Sequence, residues 1–110
     1  MSEKDSHNLD SILEAINKIY SYTKIYTDPD TFYNDDKTFD AVMMNFIVIG
    51  EMVLRMSEKF KEANPQIEWN RIKGFRNLVA HDYFGIDAEE VWQIITNDLP
   101  NLKLEISMIK

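Results

Sequence analysis

Thr38-Phe39-Asp40-Ala41-Val42-Met43-Met44-Asn45-Phe46-Ile47-Val48-Ile49-Gly50-Glu51-Met52-Val53-Leu54 is the stretch on which the fold turns. Phe39, Val42, Met43, Phe46, Ile49 and Val53 recur at steps of three and four, and Met56 and Phe60 extend the series, so one helix face is apolar. Met44, Ile47, Val48 and Leu54 make most other faces apolar too. A helix of that kind needs cover on more than one side, and in a small domain a partner subunit is one source of it. Asn45, Gly50 and Glu51 interrupt the run, which falls short of the ~20 apolar residues of a membrane span. The spacing predicts a helix from near Asp36 to Thr38 through to about Ala63, ended by Asn64-Pro65.

Working outward, Leu9, Ile12, Leu13, Ile16, Ile19 and Tyr20 form an apolar stripe on a helix of about five turns. Residues 1–7 read as a polar tail, and Asp28-Pro29-Asp30 breaks the helix, because proline disfavours helical geometry in the residue before it. Phe32 and Tyr33 fit a short turn. Downstream, a third helix runs from Trp69-Asn70 through Ile72, Phe75, Leu78 and Val79 towards Tyr83, and Gly85 ends it. Asp87 caps a fourth, with Glu90 three residues on, and Val91, Trp92, Ile94 and Ile95 face its core. Pro100 either kinks this helix or opens a last segment through Leu102, Leu104 and Ile106. No segment alternates as a strand does. The expected fold is all-α, an up-and-down bundle of four to five helices forming one domain over residues 1–110.

The 110 residues leave no room for a second core. The chain has no cysteine, so disulfides, thiolate metal sites and a cysteine nucleophile are excluded. The polar N-terminus lacks the apolar segment of a secretory signal, and the expected location is cytoplasmic, away from the membrane. A net charge of −7 argues against non-specific grip on a nucleic-acid backbone. Charge is unevenly spread, however. The stretch from Asp28 to Asp40 holds five aspartates and one lysine, whereas Arg71 to Arg76 holds Arg71, Lys73 and Arg76 with no acid between. That cluster fits a solvated helix face or the basic part of a cleft.

Of the two histidines, His7 lies in the tail and reads as a bystander. His81 sits among apolar neighbours, five residues after Arg76 and two before Tyr83. One histidine with scattered carboxylates does not supply three convergent metal ligands, so no metal and no cofactor are expected. A guanidinium and an imidazole do form the minimum kit for cleaving RNA beside its own 2′-hydroxyl. Histidine serves as base or acid near neutral pH, and arginine presents a charged fork to phosphate oxygens. On one straight helix Arg76 and Tyr83 lie within about 20°, but His81 lies about 140° from Arg76; a two-fold dimer relieves this by lining one groove from both copies. Two roles are open to Glu51, orienting Arg76 or pairing with Arg55 one turn on. Asn77 is either a phosphate ligand or a surface amide. Asp82 either steadies His81 or faces water, and Tyr83 fits an interface aromatic with its hydroxyl at the rim.

Leu9-Asp10-Ser11-Ile12-Leu13-Glu14-Ala15-Ile16, Thr38-Phe39-Asp40-Ala41-Val42, Ile49-Gly50-Glu51, Asn64-Pro65-Gln66-Ile67-Glu68-Trp69 and Gly74-Phe75-Arg76-Asn77-Leu78-Val79-Ala80-His81-Asp82-Tyr83-Phe84 together resemble the HepT-like branch of the HEPN superfamily. Val91-Trp92 and Asp98-Leu99-Pro100 extend the resemblance over almost the whole chain. It implies a HEPN-like homodimeric helical bundle with two arginine–histidine motifs in one interfacial cleft. It further implies a metal-independent endoribonuclease, the toxin of a type VII HEPN/MNT toxin–antitoxin module. Arg76 and His81 would be the catalytic pair, with Asn77, Tyr83 and Glu51 in support. The implied partners are an RNA substrate and an MNT-type nucleotidyltransferase antitoxin, in a homodimer or a larger hetero-oligomer. That antitoxin would silence the nuclease by adenylylating Tyr83. The alternative is a non-catalytic nucleotide-binding or scaffold partner of the nucleotidyltransferase.

Overall fold

In a computed structural model, residues 1–81 and 83–109 are described, with the backbone alone for Ala80 and His81. The apolar stripe of the first segment becomes α1 (Glu3–Thr23), and the mostly apolar segment becomes α3 (Asp36–Arg55). Between them lies α2 (Pro29–Asn34); α4 (Glu58–Ala63) and α5 (Trp69–His81) follow. A 3₁₀ turn (Tyr83–Gly85), α6 (Ala88–Gln93), a π-helical turn (Ile94–Asp98) and α7 (Leu99–Ile109) complete the chain. Among the described residues there is no strand, and no helix is long and apolar enough to cross a membrane.

Helix α3 is the spine, packed against α1 and against α5. Leu9, Ile12, Ile16 and Ile19 of α1 and Val42, Phe46 and Ile49 of α3 are wholly buried, and each such side chain contributes about 1.5–3 kcal/mol relative to exposure. Aromatic contacts tie the remaining elements to the spine. Phe46 meets Phe75 of α5 at 5.5 Å between ring centroids, and Phe32 of α2 joins Phe39 at 5.4 Å and Trp92 of α6 at 5.6 Å.

Several boundaries differ from the sequence expectation, each for an identifiable physical reason. The helix expected to reach Ala63 stops at Arg55, and Ser57 starts α4 as its N-cap, accepting from the Phe60 N–H. Asp5 fixes this break: its buried carboxylate accepts from the Ser57 N–H at 2.9 Å and from its hydroxyl at 2.6 Å. Residues 3–7, expected in a tail, thus form the first turns of α1 and pin it to the α3–α4 corner. The Asp28-Pro29 break opens α2, since Pro29 occupies the first turn, where no N–H is needed, and Asp28 caps it. Of the two outcomes expected of Pro100, opening a last segment is the one found, with the proline in the first turn of α7. The backbone widens first, the Leu99 N–H bonding to the Ile94 carbonyl five residues back, and α7 continues through the proline. These breaks divide the expected four to five helices into seven α-helical segments among the described residues.

On the outer side of α3 the apolar surface stays uncovered. Met44 is 60% exposed and Leu54 47%, while Ile47, Val48 and Met52 are only partly buried. At about 100° per residue, Asp40, Met44, Ile47, Glu51 and Leu54 fall within about 40° of one line along the helix. An acidic residue therefore stands near each end of an exposed apolar stripe.

Candidate active site

Arg76 is held where it is by a glycine and a carboxylate. Gly50 lets α5 approach α3 so closely that a Cβ added there would lie 2.6 Å from Arg76 Cβ, 3.1 Å from the Arg76 nitrogen and 3.2 Å from the Lys73 carbonyl oxygen. The next residue, Glu51, then reaches the guanidinium, with Glu51 Oε1 2.5 Å from Arg76 Nε. Of the two roles open to Glu51, orienting Arg76 is the one this contact fits; among the described residues no ion pair links it to Arg55. The pair uses Nε of a side chain 43% exposed, and a guanidinium has further N–H donors with which to bind an anion.

The other members of the motif are arranged differently. Asn77 is exposed on α5. His81 is the last residue of α5, and the expectation that its imidazole joins Arg76 falls on a side chain outside the described residues, as does any role of Asp82. Tyr83 lies on the 3₁₀ turn beyond, so regular-helix angles from Arg76 no longer apply. Its hydroxyl donates to Asp40 Oδ1, and its ring sits edge-on to Phe39 at 6.2 Å and to Phe84 at 5.8 Å. Burial first, then the hydrogen bond and charge of Asp40, push the phenol up to about 12, and Asp36 and Tyr33 add to the rise.

Glu51 and Asp40 are therefore anchors for two different functional groups. They lie eleven residues apart on α3, about 16 Å or three turns along one line, so the guanidinium and the phenol hydroxyl are held at separate points of one surface. The basic cluster also divides. Arg71 is drawn away from the motif into a two-pronged pair with Asp98 on the π-helical turn, at 2.6 and 3.1 Å. Three grooves, of about 270, 650 and 270 Å³, are each lined by Arg71, and neither Arg76 nor Tyr83 lines any of them. Arg76 and Tyr83 thus stand on the ridge beside α3, outside these three grooves.

Sequence reasoning missed Asp40 as a site residue, and Gly50 as the reason for the close approach. A signal for the first was present: beyond the first turn of α3, Asp40 and Glu51 are its only acids, eleven residues apart with Asn45 the one polar side chain between them.

An all-helical chain with a buttressed arginine in an R-N-x-x-x-H-x-Y motif is the class that fold and site define. A family model described as Ribonuclease HepT-like matches residues 12–109, and the chain belongs to that family. It is 34% identical to "Putative RNase MJ1380" of Methanocaldococcus jannaschii, across 99% of this chain and 100% of that protein. It is 35% identical to "Probable ribonuclease HepT" of Thermococcus cleftensis, across 91% and 92% of the two chains. Similarity to "Putative RNase MJ0127" of M. jannaschii is 39% identity over 89% of this chain and 80% of that one. No solved structure matches.

Proposed function

We propose that this protein is a metal-independent endoribonuclease, the toxin of a HEPN/MNT toxin–antitoxin pair. The observation that carries the reading is the buttressed guanidinium of Arg76, fixed by Gly50 and Glu51 on the edge of an uncovered apolar stripe. Family membership and the ribonuclease names of the relatives support it.

Two copies packed through Met44, Ile47 and Leu54 about a two-fold axis bring both Arg76 groups to one interfacial cleft. In that cleft the RNA 2′-hydroxyl attacks the adjacent phosphorus and the 5′-oxygen leaves, giving a 2′,3′-cyclic phosphate. His81 moves the proton, as base for the 2′-hydroxyl or as acid for the leaving oxygen. Arg76 stabilises the extra negative charge of the crowded phosphorane, an interaction strongest in the transition state. Adenylylation of Tyr83 by the nucleotidyltransferase adds a phosphodiester charge and bulk, which exclude RNA.

The test is RNA cleavage by the purified protein with EDTA present. Cyclic phosphate ends are expected, and Arg76→Ala or His81→Ala lowers the rate by about 100-fold or more with the fold intact. A His81→Ala protein as active as the parent overturns the mechanism. A second reading, a non-catalytic nucleotide-binding or scaffold partner, is favoured by one feature: Glu51 already neutralises Arg76 in a chain of net charge −7. Absent cleavage, with partner binding that survives both substitutions, would select it.

A further inference from the structure

The Tyr83 hydroxyl is aimed, and its aim is set by two elements. The rings of Phe39 and Phe84 flank the phenol edge-on, and the hydroxyl is tied to Asp40 on the outer line of α3. Among the described residues, the charged or titratable groups acting on it are Asp40 and Asp36 from α3 and Tyr33 from α2, and none of these is a cation. A hydroxyl within hydrogen-bond reach of a carboxylate, with that carboxylate fixed on a rigid helix, is the arrangement of a nucleophile and its base.

We propose that Asp40 is the proton acceptor for adenylyl transfer to Tyr83, holding the hydroxyl in place and removing its proton as the new ester forms. The inference rests on the reading of Tyr83 as an adenylylation target. The co-reactant is a nucleoside triphosphate presented by the nucleotidyltransferase. Tyr83 Oη forms a bond to the α-phosphorus, and the bond from that phosphorus to the bridging α–β oxygen breaks. Pyrophosphate leaves with the electron pair, and the phenol proton passes to Asp40 and then to water. A phenol pushed up to about 12 is almost wholly protonated near neutrality, so it needs an adjacent base to attack.

The same carboxylate acts again afterwards. The esterified oxygen has no proton to donate, and its phosphodiester charge now faces Asp40 and Asp36. Repulsion at that end turns the adenylyl group away from the two aspartates.

The experiment follows adenylylation by intact mass, using ATP and a purified minimal nucleotidyltransferase with the full-length parent, Tyr83→Phe, Asp40→Asn and Asp40→Glu; circular dichroism checks each fold. The parent gains AMP and Tyr83→Phe does not. Asp40→Asn, which keeps an acceptor oxygen but not a base, slows transfer about 100-fold, and its rate climbs steadily with pH where the parent's is level. Asp40→Glu recovers part of the rate. Asp40→Asn at the parental rate, or slowed with the parental pH profile, refutes the proton acceptor while leaving Tyr83 as the target. A parent that gains no AMP, or a Tyr83→Phe protein that does, overturns the underlying reading of Tyr83 and this proposal with it.

Discussion

Substituting Gly50 by alanine perturbs the site without touching any charged group. The added Cβ would stand 2.6 Å from Arg76 Cβ, and ordinary contact begins at 3.4 Å, so α5 must retreat by about 0.8 Å. Neither Arg76 Cβ nor the backbone atoms behind it can swing aside as a side-chain tip would. Overpacking of this kind costs about 1–3 kcal/mol, and alanine returns up to about 1 kcal/mol through helix propensity. A net loss of about 0–2 kcal/mol lowers Tm by up to about 8 °C in a domain of this size. The functional loss is larger in proportion. The same retreat stretches the 2.5 Å Glu51–Arg76 pair beyond charge-assisted hydrogen-bond length, and displacement of a catalytic group by about 1 Å can cost about 100-fold in rate. The assay pairs thermal unfolding by circular dichroism with RNA cleavage. Gly74→Ala on α5 is the internal control: nothing lies within 4 Å of its added Cβ, so it should stabilise by about 0.5–1 kcal/mol. Full activity and an unchanged Tm in Gly50→Ala, or equal damage from Gly74→Ala, would refute the close-approach argument.

Asp5→Asn should destabilise by about 1–3 kcal/mol near neutrality, because Ser57 loses a charged acceptor. Burial raises the Asp5 carboxyl, but the hydrogen bonds with Ser57 and Ser2 and the charge of Lys4 together outweigh it and hold the group below its ordinary value of 3.8. Its contribution is therefore full above that value and fades as pH falls through the lower folded-state value; urea melts of both proteins from pH 6 downward should converge. For Tyr83 the sign is opposite. Ultraviolet titration should find one phenol ionising near 12, absent from Tyr83→Phe and shifted down in Asp40→Asn, with the stability it lends lost as pH rises from about 10 towards 12. Glutamate at Met44 or Leu54 places charge in the exposed stripe of α3. Analytical ultracentrifugation should show dimer converting to monomer and cleavage falling with it; an active monomer would remove the interfacial cleft from the mechanism.

What could be read from sequence follows the range of the interactions involved. Leu9, Ile12, Ile16 and Ile19 declare α1 by spacing alone, since burial of a stripe is a local property. The end of α3 at Arg55 is not local: it depends on Asp5, 52 residues away, capturing a Ser57 N–H that would otherwise sit inside a helix. The motif named Arg76, but the choice of Glu51 between Arg55 and Arg76 waited on Gly50, whose meaning is an inter-helix distance. Asp40 read as part of an acidic run until the 3₁₀ turn carried Tyr83 back onto it. Pro100 left a kink or a new segment open in sequence, because the widened turn before it leaves no compositional trace.

Because Asp40 and Glu51 project from one unbroken rod, α3 also works as a ruler. One residue inserted between them would twist the two acids about 100° out of register, leaving either the guanidinium or the phenol without its rest. An insertion of eleven would restore the alignment while lengthening the gap by three more turns. Side chains around the ridge can therefore drift one at a time, but the count of residues between the two acids cannot, and length variation in this chain belongs in the corners and not in the rod.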